Sequence, residues 1–276
     1  MQSFDYITKS RLDKIKSEIL NFLSETSCND VYYTANFNNY SNTSPLIESI
    51  CVKLGKPLII FCDASSSTTR SFLDCKNHLS ITVARDENVD PRLFAKIFKI
   101  MPHLFFSKTT RTIWLDSNIS MKKDDIDLIV KLEKNNLVLF AHDKRNSVTE
   151  EYIECLKYKK DSSKKLKKFS QFLAYNKDPE FLCQGRIIYR NTNLKVQDFN
   201  EIWWDYVQKG SIRDQLSLPY AINQSNIVAE ILSPVRLSDL FQIHFHNKIS
   251  FAHNSNFMNM MLFLRNMILK IREVLR

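Results

Sequence analysis

The chain has 276 residues, 44% of them hydrophobic and 12% aromatic, which is enough to bury one large core and too apolar for a disordered protein. Thirty-nine Lys and Arg against 30 Asp and Glu leave a net charge of +9, which favours an anionic partner (a nucleotide, an acidic glycan, nucleic acid or a membrane surface) without choosing among them. The only glycines are Gly55, Gly185 and Gly210, so both the G-x-G-x-x-G dinucleotide fingerprint and the phosphate loop of nucleoside triphosphatases are excluded. Six cysteines form no C-x-x-C pair, and several sit in apolar runs such as IIFCD, as expected of reduced core thiols in a cytoplasmic protein. The N-terminal MQSFDYITKSRLDKIK is too polar for a signal peptide, and no apolar run approaches the roughly 18 residues of a membrane span.

Helical periodicity runs over 8–24, followed by the short apolar strands VYYTANF and PLIIFCD with a helix over about 44–54 between them. LSITVAR predicts a third strand and Pro91 opens a helix to about Met101. RTIWLD predicts a fourth strand, 124–133 a helix and NNLVLFAH a fifth strand. Residues 147–175 read as helical, with seven lysines in 157–168, a solvated face or an anion-facing patch. QGRIIYRN is a further strand, and LKVQDFNEIWWDYVQKG and SIRDQLSLPYAI are helices. Strands alternating with helices of about ten residues predict a mainly parallel sheet covered on both faces, with ligands bound beyond the carboxyl ends of the strands. That rim holds the 36–40 stretch, Asp63, Asp116 and His142.

Four groupings carry possible chemistry. Asp116 and Asn118 end an apolar strand, where two oxygen-bearing side chains one residue apart suit a hard cation or merely cap a turn. Asp214 near a helix start reads as an amide cap or as a carboxylate at a reaction centre kept ionised by Arg213. FQIHFHNKISFAHN puts His244 and His246 on one face of an extended segment, with Lys248 suited to a phosphate. In FAHDKRNSVTEE, His142, Arg145 and Glu151 suit a sugar or acceptor, or a surface salt-bridge cluster.

Taken in order, YTANFNNY (33–40), IIFCD (59–63), AKIFKIMPHLFF (95–106), TIWLDSNI (112–119), LFAHDKRNSVTEE (139–151) and WWDYVQKGSIRDQLSLPYAI (203–222) resemble one family. It is the GT-A type glycosyltransferase-like family first described as a domain of unknown function, found in plant pollen-turgor and seed-mucilage proteins and in bacterial polysaccharide loci. It is more distantly similar to glycogenin-like glycosyltransferases. The resemblance implies a GT-A, Rossmann-like sheet with helices on both faces over 1–254, its donor-binding part at about 30–145 and its acceptor part at about 146–254. It implies Thr34, Ala35, Tyr40, Asp63, Lys96, Lys99, His103 and Lys248 at the nucleotide-sugar donor, a UDP-sugar being favoured. It further implies Asp116, Asn118 and His244 at Mn²⁺ or Mg²⁺, and Asp214 and Gln215 at the anomeric carbon. The acceptor or sugar side would hold His142, Arg145, Glu151 and Arg213. Asn118 departs from the family, where a second Asp is usual, so metal binding is expected to be weak or dispensable.

Phe257, Met261, Leu264, Ile268, Ile271 and Leu275 then predict a C-terminal amphipathic helix over 255–276, available to the domain, a second copy or an anionic membrane. The expectation is a cytoplasmic glycosyltransferase, peripheral on the inner face of the membrane if that helix binds lipid. It would act on a glycan or lipid-linked acceptor in surface polysaccharide synthesis. The competing expectation is a non-catalytic nucleotide-sugar or glycan-binding protein with a decayed metal motif. Nucleic acid is not an expected partner, for no recognised binding module accompanies the lysines.

Overall fold

The computed structural model describes residues 6–26, 28–64, 75–106 and 111–244. The expected tail helix over 255–276, His246 and Lys248 lie outside the described residues. The strands that the apolar runs predict are present: β1 (Asp30–Asn36), β2 (Leu58–Cys62), β3 (His78–Thr82), β4 (Arg111–Leu115), β6 (Leu137–Ala141) and β7 (Cys183–Asn191). Two short strands were not anticipated, β5 (Ile119–Met121) and β8 (Ala229–Leu232), and β9 (Phe241–Ile243) opens the segment read as extended. The seven-stranded sheet has the order β3-β2-β1-β4-β7-β6-β8, and β5 pairs with β9 in a separate ribbon. Neighbours are parallel except at β7, which runs antiparallel to both β4 and β6. The mainly parallel, helix-covered sheet of the sequence reading is therefore borne out, with β7 as its one reversed strand.

Two cores flank the sheet. On one face β1 Tyr33, β2 Phe61 and β7 Ile188 pack under α1 (Lys9–Thr26), α3 (Pro91–Ile100), α7 (Leu194–Lys209) and α8 (Asp214–Ser225). On the other, β1 Tyr32, β2 Ile60 and β7 Tyr189 pack under α2 (Ser44–Ile47), α4 (Ile126–Lys134) and α9 (Pro234–Leu240). A satellite core joins α8 to α5 (Val148–Lys157) and α6 (Ser163–Tyr175). Because both faces are covered, β2 reads LIIFC, buried throughout, rather than alternating. All six cysteines are unbridged. Among the described residues no helix is long and apolar enough to cross a membrane.

The helix α3 fixes the site. Asp90 caps it by accepting from the amide of Arg92 at 2.8 Å, and Pro91 occupies the first turn. Phe94, Ile97 and Phe98 then bury one stripe against the sheet, each contributing about 1.5–3 kcal/mol by burial. With that stripe fixed, Lys96 and Lys99, three apart, share a flank of the helix beside the sheet's carboxyl rim. Pro102 stops the helix in a short 3₁₀ turn over Pro102–Leu104.

Candidate active site

Strands β1, β2, β4 and β6 end together with the start of the reversed β7, so the rim collects Asn36, Asp63, Asp116, His142 and Gly185. In β4, alternation puts Trp114 and Asp116 on one side, and Trp114 Nε1 donates to Asp116 Oδ1 at 2.9 Å. From α8, Asp214 reaches the same place. Its backbone carbonyl accepts from Trp203 Nε1 at 3.2 Å and from Ser217 Oγ at 3.3 Å, and its carboxylate turns inward instead of capping the helix.

Lys96 Nζ lies 2.8 Å from Asp214 Oδ1, and Lys99 Nζ lies 2.6 Å from Asp214 Oδ2 and 3.5 Å from Asp116 Oδ1. Lys99 also sits 5.7 Å from the centre of the Trp114 ring. The glycine at 185 leaves the space this needs: a Cβ there would stand 3.1 Å from Lys99 Nζ and 3.2 Å from Asp214 Oδ2.

Burial opposes ionisation of Asp214, but the charges of Lys96 and Lys99 outweigh it and hold the carboxyl far below its ordinary range. Burial likewise opposes charge on Lys99, and the two carboxylates facing it reverse the effect and raise it. Lys96 shares Asp214 with Lys99 and has no second carboxylate. Burial, aided by the charges of Lys99 and Arg213, lowers it. Two lysines and two carboxylates balance in this cluster, and the surplus of positive charge lies beside it.

A second group adjoins it. Glu151, fully buried on α5, has Arg145 Nε at 2.6 Å, Arg213 Nη2 at 3.4 Å and Lys160 Nζ at 3.5 Å. Burial raises its carboxyl, and these three cations lower it by more. Arg213 also donates to Gln215 Oε1 at 2.9 Å, which links the group to Asp214 next along the chain. His142 Nδ1 accepts from the amides of Lys144 and Arg145 at 3.1 and 3.2 Å, and burial together with the charge of Arg145 keeps its imidazole below its ordinary range. Asp161 Oδ2 accepts from Ser211 Oγ at 2.7 Å and the Ile212 amide at 2.9 Å, so the start of the lysine-rich segment is tied to the turn that delivers Asp214.

The β5–β9 ribbon brings His244 to the D-x-N motif. The His244 amide donates to the Asn118 carbonyl at 2.7 Å, Asn118 Nδ2 donates to the His244 carbonyl at 2.7 Å, and His244 Nε2 lies 2.7 Å from Ser120 Oγ. A divalent cation needs several converging oxygens. Here Asp116 Oδ1 is bonded to Trp114 and faced by the Lys99 ammonium, Asn118 is neutral, and the Nε2 of His244 is engaged by Ser120. Among the described residues no three or more His, Cys, Asp and Glu side chains gather as a metal site. The donor set present is a poor fit to Mg²⁺ or Mn²⁺.

Other expected residues are more scattered. Asp63 accepts from the Asn38 amide at 2.8 Å and so holds the left-handed turn at Asn38 and Asn39, whose φ angles are 56° and 50°. Tyr40 is exposed beside that turn, Ala35 packs on the core and Thr34 is fully buried in β1. His103 is carried by the 3₁₀ turn to the opposite, amino rim, where Nε2 lies 3.2 Å from Glu201 and Nδ1 lies 3.3 Å from Asn200 Nδ2. Sequence reasoning missed Trp114, Lys160, Gly185 and Arg186. Their signals were the W-x-D strand end, the lysine run over 157–168 and a glycine in a chain with three.

A mainly parallel α/β sheet with an anion-attracting cluster at its carboxyl rim defines the class of α/β domains that bind ligands beyond their strand ends. Within that class, the chain belongs to the TOD1/MUCI70, glycosyltransferase-like domain family, which it matches over residues 77–246. That range contains Lys96, Lys99, Asp116, Glu151 and Asp214. No curated protein sequence matches the chain. The solved structure described as "WbbM bifunctional glycosytransferase apo structure" is similar at 14% identity and a TM-score of 0.48, over 74% of this chain and 38% of that one.

Proposed function

We propose that the protein transfers a sugar from a nucleotide-sugar donor to a glycan or lipid-linked glycan hydroxyl. The acceptor oxygen bonds to the anomeric carbon, the bond from that carbon to the diphosphate oxygen breaks, the hydroxyl proton passes to the departing diphosphate oxygen, and a nucleoside diphosphate departs. The observation that carries this reading is the meeting of Asp116 and Asp214, from distant parts of the chain, on the ammonium of Lys99. Positive charge develops at the anomeric carbon and negative charge on the leaving oxygen, and the cluster offers a carboxylate to the first and lysines to the second. Asp214 acts as a charge stabiliser, since a carboxylate held so far below neutrality by two lysines is a weak proton acceptor. The neighbouring Glu151, Arg145, Arg213 and His142 group faces the acceptor or the donor sugar. No step is assigned to a metal.

The test is release of nucleoside diphosphate from UDP- and GDP-sugars with and without Mn²⁺, in the presence of glycan acceptors. Asp214→Asn is expected to lower turnover by about 10²–10³ while nucleotide binding persists. A protein that binds the nucleotides and releases nothing from any donor would instead be a non-catalytic sugar-nucleotide binder. That second reading draws on Asn118, a neutral side chain where a second carboxylate would strengthen a cation site. Absence of binding to every donor would sink both.

A further inference from the structure

The cations of the rim differ in one respect. Lys96 and Lys99 have Asp214, and Arg145, Lys160 and Arg213 have Glu151. Arg186 is half-buried on β7 among them, and its guanidinium has no ion-pair or hydrogen-bond partner among the described residues. A guanidinium carries five N–H donors in a planar fork and never gives up its charge at ordinary pH, so a half-buried one without a partner is matched to an anion.

Its place is built by an irregularity in the sheet. Val138 of β6 pairs with Tyr189 of β7, and Phe140 with Gln184, so residues 185–188 bulge opposite Leu139. Bulges of this kind re-aim side chains beside sites. The regular pairing of β7 with β4 runs to Leu115 and Ile187, and one bond beyond it the Asp116 amide donates to the Arg186 carbonyl at 2.8 Å. Arg186 is thereby the cross-strand neighbour of Asp116 on one side. On the other it is close enough to His142 for its charge to help lower that imidazole. Asp116 opens the D-x-N motif, where a neutral Asn118 stands and a metal would meet one carboxylate fewer.

We propose that Arg186 binds the departing diphosphate directly, as a fixed cation at the edge of Asp116, so that the leaving group is neutralised by protein charge. This rests on the glycosyltransferase reading above. Arg186 forks onto two phosphate oxygens, beside Arg145, Lys160 and Arg213, three cations that share the single carboxylate of Glu151.

The experiment measures the affinity of the full chain for uridine, UDP, guanosine and GDP by calorimetry, with chelator and with Mn²⁺, for the wild type, Arg186→Gln and Arg186→Lys. Thermal melting checks that each variant is folded. For whichever base binds, Arg186→Gln is expected to weaken the diphosphate by about tenfold or more and the nucleoside by less than twofold. Arg186→Lys is expected to restore part of the loss, and chelator to leave wild-type binding intact. Diphosphate affinity within twofold of wild type in the folded Gln variant, or wild-type binding abolished by chelator, overturns the assignment. Sugar transfer with Arg186-independent diphosphate binding would end this inference and leave the function standing. Arg186-dependent binding without transfer to any acceptor would do the reverse, and no affinity for either diphosphate would end both.

Discussion

Two buried carboxylates at opposite rims of the sheet are built from the same materials and finished differently. Asp125, at the amino rim, accepts from Tyr32 Oη at 2.8 Å and from Tyr189 Oη, and lies 2.7 Å from Lys56 Nζ. Each of its oxygens has an aligned donor, and its single buried counter-ion, Lys56, reaches solvent past Asp124. Asp214, at the carboxyl rim, has two lysines and, through the neighbouring Glu151 group, further cations beside it. The closed network has its donors and acceptors matched and contributes to stability. The open one adjoins three cations that share Glu151, and that surplus is the condition for attracting an anion. Matching, more than burial, separates the structural site from the functional one.

The largest effect that tests this contrast comes from removing one lysine of each network. Lys56→Met leaves the fully buried Asp125 without its cation and is expected to destabilise by about 3 kcal/mol, the low end of the range for a broken buried pair because Lys56 is 19% exposed. Lys96→Met leaves Asp214 paired with Lys99 and relieves repulsion from Lys99 and Arg213, so stability is expected to stay within about 1 kcal/mol while activity falls. Urea denaturation of both variants decides it. Equal losses would show that the two networks are equally structural.

A smaller effect distinguishes the same lysines by pH. Unfolded, both titrate near 10.5. In the fold, burial lowers Lys56, but the hydrogen bonds and charges of Asp125 and Asp124 more than compensate and raise it. Its stabilisation is therefore complete below pH 10.5 and lost as the pH rises through the folded value. Lys96 is lowered, so the folded state binds that proton less readily than the unfolded state. Its contribution improves with rising pH, from the folded value up to 10.5. Between pH 8 and about 11, Lys56→Met is expected to flatten an alkaline loss of stability, and Lys96→Met to remove an alkaline gain. Slopes of the same sign would break the comparison.

Much of the frame was legible because its signals are local. Pro91 announces α3, and the continuous apolar run announces β2. The strands β5 and β8 were not read, since three or four residues are too few for a period to show, and β9 was read only as the start of an extended segment. The reversal of β7 was hidden as well, because QGRIIYRN has no direction until its neighbours are in place. The same limit divided the site. Asp116 and Asp214 were each visible as a carboxylate at an element's end, yet their meeting at Lys99 is a product of the whole sheet. His103 was grouped with the lysines by motif, and Pro102 sends it to the other rim.

The smallest expected effect is the most direct probe of how the open network is held. Gly185 has an ordinary backbone, without the left-handed φ of Gly55, so Gly185→Ala should cost the main chain little. What the new methyl meets is the pair itself, with Lys99 Nζ at 3.1 Å and Asp214 Oδ2 at 3.2 Å. One of them must give by a few tenths of an ångström, and the side-chain ammonium is the softer. Stability is expected to change by less than about 1 kcal/mol, whereas turnover is expected to fall about tenfold, because reacting groups lose much of their advantage when displaced by a fraction of an ångström. If instead stability fell by several kcal/mol with turnover of the folded protein unchanged, the lysine–carboxylate pair would be a structural network like that of Asp125. The distinction between the two rims would then have to rest on Arg186 and Glu151 alone.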